Sequence, residues 1–457
     1  MKALWLALAF LLAPAAPAER PADRRVAYAP GLRFTDDAEL PLAASVYSFP
    51  SFFFDAATVD RFLAAVRAVA PERQILVLTD PPLFRALESR AAALHVHLLT
   101  TRGRAYSPWP RDPFSLVRGP GGAVVVLVRP NLQPGREDDA HMGAELAAGL
   151  PEEIDRAWGG VTWTEAPIPF HNGQILPAAG RVWITLHSLE PRILTLLGLS
   201  QVPVETFASA AGIARYTAAA STAAGELSAL WGRPVRFVHP LPADAGGATA
   251  GSDLLRRIGG GAGYDLDSLV TFLPGPSGSP AALVADVTLG RELAAHLPAA
   301  EWEALRSGWG LTAAPPLAAA VQAAQRDPRV EDLDRFLDLT AGHLASEGFR
   351  VHRLPLLSLP FALLRDPEGL QGTFLLTWNN VVAETRGGKV RAEGFSSLLP
   401  SGDRRATETF AAAGARLELL PPLVRSVILN GGYRCASNHV RAESAPATPA
   451  GGPRIKP

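Results

Sequence analysis

The chain has 457 residues, 48% hydrophobic and 19% charged, with 41 Gly and 41 Pro, a composition that excludes a largely disordered protein. Lys and Arg total 43 against 44 Asp and Glu, and no basic run is long enough to form the face that nucleic-acid binding by counterion release requires. The length admits two or three domains or one large α/β unit.

Lys2, the apolar run Ala3 to Leu12 and the small-x-small site Ala16-Pro17-Ala18 follow the order of a secretory signal peptide, residues 1–18. They predict cleavage near Ala18 and a secreted or periplasmic protein. No later apolar run reaches the ~18 residues of a membrane span, so no stable membrane insertion is expected. Residues 19–40 are rich in Pro, Arg and Asp and read as an extended lead-in.

From Thr58 the pattern is α/β. Helical periodicity marks Thr58–Ala70 and Pro82–Leu94, and strand patterning marks Gln74–Thr79, His95–Thr100 and Ala123–Val128. Further strand-like segments lie at Arg181–Leu186, Ser268–Leu273, Ala282–Asp286, Gly372–Trp378 and Val424–Leu429. Helical stretches lie at Ala208–Leu230, Arg291–Ser307, Pro316–Gly348 and Arg404–Ala413. Alternation of this kind indicates repeated β/α units. Pro240–Gly263 reads as a loop; its glycines neither follow a strand nor open a helix, as a phosphate cradle requires. The tail, residues 441–457, is Ala/Pro/Gly-rich and is expected to be disordered.

Four separated stretches set polar side chains beside strand-like segments in Gly-, Pro- or aromatic-rich turns. They are Trp109-Pro110-Arg111-Asp112-Pro113, Asp265-Leu266-Asp267, Thr377-Trp378-Asn379-Asn380, and Asn430-Gly431-Gly432-Tyr433-Arg434-Cys435. Together they supply carboxylates that can hold a planar guanidinium, an aromatic face to cover it, and one thiol able to attack its carbon. Cys435 is the sole cysteine, so it has no disulfide partner within the chain. Neither it nor the ten scattered histidines show metal-ligand spacing, and no metal or cofactor is expected.

In these motifs the sequence resembles the guanidino-group-modifying, or pentein, superfamily, and within it the agmatine deiminase and bacterial peptidylarginine deiminase branch, from about Pro41 to Val440. The resemblance implies an α/β propeller of five ββαβ-like units around a central pocket, formed by one domain over residues 41–440. Trp109 to Asp112 is similar to the branch's Trp-x-Arg-Asp substrate motif, which gives Asp112 the guanidinium, with Trp109 and Arg111 beside it. His171-Asn172-Gly173-Gln174 resembles a Glu-Gly-Gly-Asn element and retains only Gly173, which puts Gln174 in the substrate set. Thr377 to Asn380 resembles Thr-Tyr-x-Asn and brings in Asn380. The glycine-rich turn ends on Cys435, implied to be the nucleophile and expected to be exposed at the site after an apolar strand. The His-x-Asp/Glu motif aligns with Asp265-Leu266-Asp267, so the acidic member survives as Asp267 while Asp265 occupies the position of the catalytic histidine.

The implied activity is cysteine-dependent hydrolysis of the guanidino group of arginine, agmatine or peptidyl-arginine, releasing ammonia. Loss of the imidazole is expected to weaken it, since general acid–base assistance supplies ~10²–10⁴ in rate. A non-catalytic pentein that binds a guanidinium ligand or a protein partner is the alternative, and amidino transfer uses the same covalent intermediate. His439, four residues after Cys435, is the nearest substitute proton carrier in sequence; His171 and His187 flank a strand near the degenerate element.

Overall fold

A strand can hydrogen-bond to a parallel neighbour only after a crossover, whereas an antiparallel neighbour needs no more than a turn. Both connections recur in fixed order along this chain. The computed structural model describes residues 24–35, 38–129, 136–168, 172–202, 206–207, 209–242, 265–275, 278–312, 315–364, 372–429 and 431–442.

The first sheet contains β1 (Leu42–Phe49), β2 (Gln74–Thr79) and β3 (Val96–Thr100), and the second β4 (Phe114–Arg118), β5 (Val124–Val128) and β6 (Thr162–Glu165). The third contains β7 (Ile175–Ala178), β8 (Arg181–Ile184) and β9 (Val235–Phe237). The fourth contains β10 (Val270–Leu273), β11 (Ala281–Asp286), β12 (Arg350–Pro360) and β13 (Thr373–Thr377). The fifth contains β14 (Val382–Arg386), β15 (Lys389–Phe395) and β16 (Ala415–Leu420). The last strand, β17 (Ser437–Arg441), returns to the first sheet, where it runs antiparallel to β1.

Among the described residues, every sheet repeats one pattern: an antiparallel pair, a helical crossover, then a strand parallel to the second. The antiparallel pairs are β17–β1, β4–β5, β7–β8, β10–β11 and β14–β15. The parallel partners are β2, β6, β9, β12 and β16. The result is a mixed α/β fold of several small sheets with helices packed against them. The crossover helix Ala56–Val69 illustrates the local causes. Asp55 caps it by accepting from Thr58 N at 2.7 Å, and Val59, Phe62, Leu63 and Val66 form its buried face.

Several expectations are corrected. Val424–Leu429 is not a strand but carries the short helix Val424–Ile428; a brief apolar run does not discriminate the two, and the preceding Pro421-Pro422 cannot donate to a ladder. Arg291–Ser307 splits into Val287–His296 and Ala299–Gly308, because Pro298 has no N–H to continue the first helix. Pro316–Gly348 splits into Leu317–Ala324 and Pro328–Ser346, where Asp327 caps the second by accepting from Arg329 N at 2.8 Å. β17 runs to Arg441, one residue into the expected tail. The signal peptide, His171, Asn430 and nearly all of Pro240–Gly263 and of the tail lie outside the described residues.

Candidate functional site

Asp265 stands at the start of the 3-10 turn Leu266–Ser268, just before β10, and that turn carries Asp267. β13 ends beside it, and the two strand ends are stitched together. Thr377 Oγ1 donates to Ser268 O at 2.8 Å, Asn379 Nδ2 to Leu269 O at 3.1 Å, and Thr271 Oγ1 to Asn379 O at 2.5 Å. This fixes Asn380, the next residue.

Asn380 organises the turn that carries the thiol. Its Oδ1 accepts from Arg434 N at 2.7 Å and Cys435 N at 3.3 Å. Its Nδ2 lies 3.0 Å from Asp267 Oδ1, 3.1 Å from Ser268 Oγ and 3.1 Å from Cys435 Sγ. A Cβ on Gly432 would sit 2.4 Å from the Asn380 side chain, so glycine is what lets the turn close on it. Cys435 Sγ is 3.6 Å from both carboxylate oxygens of Asp267. Asp265, Asp267 and Cys435 bring one ligand atom each within 4.8 Å of one another, so among the described residues they form a group that could hold a cation, metal or organic.

Asp265 is positioned from the third sheet. Gln174 Nε2 donates to Asp265 Oδ1 at 3.0 Å, and Thr185 Oγ1 fixes Gln174 by donating to its Oε1 at 2.8 Å. A Cβ on Gly173 would lie 2.5 Å from the Asp265 carboxyl carbon, which accounts for the glycine kept in the degenerate element.

The electrostatics follow from burial of like charges. Asp267 is 1% exposed; burial, and then Asp265, push its carboxyl from 3.8 up to about 8, against the pull of Arg434 and Arg111. Burial also drives the Cys435 thiol well above its ordinary value, with Asp267, Asp265 and Asp112 adding to the rise. The expected exposure of Cys435 is not found: it is 2% exposed, and its turn follows a helix, not a strand.

The Trp109–Asp112 stretch borders this cluster. Trp109 Nε1 donates to Ser426 Oγ at 3.0 Å, anchoring the indole to the helix before the thiol turn. Asp112 Oδ2 accepts from Arg136 Nη1 at 2.6 Å, and the same guanidinium lies 5.2 Å over the Trp109 ring. The carboxylate and aromatic wall expected to receive a substrate guanidinium thus already receive that of Arg136, which also bonds Ser107 Oγ and Asp139. Arg111 lines a cavity together with Arg434, and its charge is felt by Asp267.

His439 is buried, with Nδ1 3.0 Å from Ser45 Oγ and Nε2 2.8 Å from Ser437 Oγ, so both ring nitrogens are engaged away from the thiol. His187 sits at the surface beside Glu190. Sequence reasoning missed Ser268, Arg136 and Arg434. Only Arg434 had a signal, its adjacency to Cys435; Arg136 lies in a polar run with nothing to distinguish it from solvated charge.

No protein-family profile matches the chain, and no curated protein matches it in sequence. Solved structures do match. One, provisionally described as an agmatine deiminase, aligns over 92% of this chain and 99% of its own, at 10% identity and a TM-score of 0.50. The agmatine deiminase of Enterococcus faecalis aligns over 91% and 98%, at 11% identity and a TM-score of 0.50. A provisionally described peptidyl-arginine deiminase aligns over 90% and 99%, at 11% identity and a TM-score of 0.47. The chain is similar in fold to the agmatine deiminases across nearly its whole length, in keeping with the pentein resemblance.

Proposed function

We propose that this protein is an exported, deiminase-like hydrolase of guanidino compounds, working through Cys435, with its five ββαβ repeats closed around one pocket. The observation that carries the reading is the convergence of Asp265, Asp267 and Cys435 within 4.8 Å, a buried acidic cluster that a guanidinium would neutralise. Deiminase-like fold and repeated connectivity support it.

Two carboxyls can bind the planar cation by paired hydrogen bonds. The entering positive charge opposes what now raises the thiol and Asp267, so substrate itself promotes ionisation. In the first step the thiol proton passes to Asp267 and Sγ attacks the guanidinium carbon. The carboxyl then returns a proton to the departing nitrogen, which leaves as ammonia while the S–C bond remains. Water attacks the same carbon as the Asp267 carboxylate takes one of its protons; the S–C bond breaks, Asp267 returns that proton to Sγ, and the other water proton goes to the released ammonia, leaving the ureido product and the free thiol. Asp267, raised to about 8 in the free site, gives up its proton as the guanidinium binds, so its carboxylate can take the thiol proton and hand it to the departing nitrogen, a task that falls to an imidazole in the resembled family.

The strongly raised thiol favours a second reading, a guanidinium-binding protein without turnover. Incubation with arginine, agmatine and an arginyl peptide, with ureido product measured, separates the two. Product that vanishes in Cys435→Ala establishes the hydrolase; binding by calorimetry with no product establishes the binder; neither sinks both. Export is tested by N-terminal sequencing of the protein from its native compartment, and an intact Met1 would refute it.

A further inference from the structure

The Trp109–Asp112 stretch is part of a guanidinium receptor that the chain itself fills. Arg136 donates from Nη1 to Asp112 Oδ2 at 2.6 Å, from Nε to Asp139 Oδ2 at 2.7 Å and from Nη2 to Ser107 Oγ at 2.7 Å. Its guanidinium lies 5.2 Å over the Trp109 ring. We propose that Arg136 is a resident pseudo-ligand that sets the affinity for guanidino compounds: it closes the Asp112 side of the site and leaves Asp265 and Asp267 to take the ligand's cation. The part given to Asp265 and Asp267 rests on the proposed function; the occupancy of the Asp112 side does not.

The chemistry of the receptor is specific. Donors on all three guanidinium nitrogens each meet an oxygen, and the flat face meets an indole, a combination that suits a planar cation better than an ammonium. Burial would lower the Arg136 pKa, yet Asp112 and Asp139 outweigh it and raise the group above its ordinary value.

The receptor is also held in place by bonds that do not pass through Arg136. Asp139 is 1% exposed, and its Oδ1 accepts from Ser107 N at 2.7 Å. Ser107 O accepts from Ser48 Oγ at 2.7 Å. Asp112 N donates to Trp109 O at 3.1 Å, and a Cβ on Gly431 would sit 1.9 Å from Trp109 Nε1, so the indole packs directly on the thiol turn. Arg129 lies within electrostatic reach of Asp112, so that carboxylate keeps a cationic neighbour when Arg136 is removed; what opens is the place over Trp109 and between Asp112 and Asp139.

This receptor borders the acidic cluster, because Asp112 adds to the rise of both Asp267 and the Cys435 thiol. A ligand entering the cluster therefore meets a neighbouring subsite of the right chemistry that is already taken. A tethered guanidinium competes at an effective concentration on the order of millimolar, which free ligand at lower concentration does not overcome.

The test is calorimetric titration of the whole protein with agmatine. Arg136→Ala should bind it at least about tenfold more tightly than the wild type does. Arg136→Lys, which keeps a cation in place, should show no such gain, and butane-1,4-diamine, which lacks the guanidino group, should gain nothing on either variant. Adding Asp112→Asn to Arg136→Ala should abolish the gain. Binding of agmatine by the wild type tests the proposed function; the change on removing Arg136 tests the pseudo-ligand, and it is expected even if the wild type binds nothing. If Arg136→Ala does not fold alone, methylguanidinium should restore its melting transition and equal methylammonium should not. A folded Arg136→Ala with unchanged or weaker affinity would overturn the proposal. So would a gain shared by Arg136→Lys or by the diamine, a gain that survives Asp112→Asn, or an unfolded variant that methylguanidinium fails to rescue.

Discussion

The segment Tyr433–Cys435 touches two buried charge clusters that differ in one respect. On one side, Arg73 grips Glu393 through both terminal nitrogens at 2.7 Å, Tyr433 donates to the same carboxylate at 2.8 Å, and Tyr47 bonds Tyr433 at 2.9 Å. Burial would raise the Glu393 carboxyl, yet Arg73 outweighs it and holds the group below its usual value. On the other side, Asp267 is equally buried but faces Asp265 and a thiol, and it is pushed up to about 8. Burial alone does not mark a site. What differs is the balance. Arg73 reaches Glu393 by two bonds of 2.7 Å, whereas Arg434 Nε lies 3.7 Å from Asp267 and Asp265 adds like charge beside it. An acidic balance of that kind next to a nucleophile is one that an external cation would improve.

The largest expected effect tests whether Asp265 is the weak point of the acidic cluster. Asp265→His places an imidazole beside the thiol, where it can stabilise a thiolate and carry protons in both directions. Turnover on whichever guanidino compound is accepted should rise by ~10²–10⁴, the usual contribution of general acid–base assistance. Steady-state rates of ureido product measure it. A wild type already faster than the variant would make Asp265 a working catalytic group and collapse the distinction drawn from the missing histidine.

Next in size is a pair of stability measurements that contrasts the clusters directly. Glu393→Gln leaves Arg73 buried with its main counter-charge gone and should cost about 3–5 kcal/mol, read from denaturant melts. Asp267→Asn removes a carboxyl that is protonated in any case at neutral pH, so its midpoint should stay the same or rise. If both variants lose stability equally, the two clusters are one structural network and the comparison fails.

Much of this was legible in the sequence, for identifiable reasons. Helix Ala56–Val69 and strands β2 and β5 carry strong periodicity or continuous apolar runs, and these elements fall within two residues of expectation. The polar turns that meet in space were also visible, because strand-end residues in glycine-rich turns are a local pattern. What was not legible depends on pairing at long range. The joining of β17 to β1 links residues about 390 positions apart, for example Ser45 with His439. The capture of Asp112 by Arg136 joins residues 24 positions apart, with the same guanidinium over the Trp109 ring. Nor could spacing reveal that Cys435 is enclosed, since a Gly-Gly turn is compatible with either a buried or an exposed thiol.

The smallest effect is a proton. Asp267 moves from 3.8 to about 8 on folding, so the folded protein holds a proton that the unfolded chain has released over that interval. For a carboxyl with a raised folded value, the stability contribution is present below the unfolded pKa and is lost as pH rises through the folded one. Between pH 4 and 8 the wild type should therefore lose stability relative to Asp267→Asn, by up to about 1.4 kcal/mol per pH unit. Binding has the opposite sign. A guanidinium favours the ionised carboxylate and must displace that proton, so its affinity should increase up to about tenfold per unit toward pH 8 and level off above it. Calorimetry in buffers of different ionisation heat would count the released proton. The acidic cluster predicts close to one below pH 7, while a site compensated like Arg73–Glu393 would release none and show no slope.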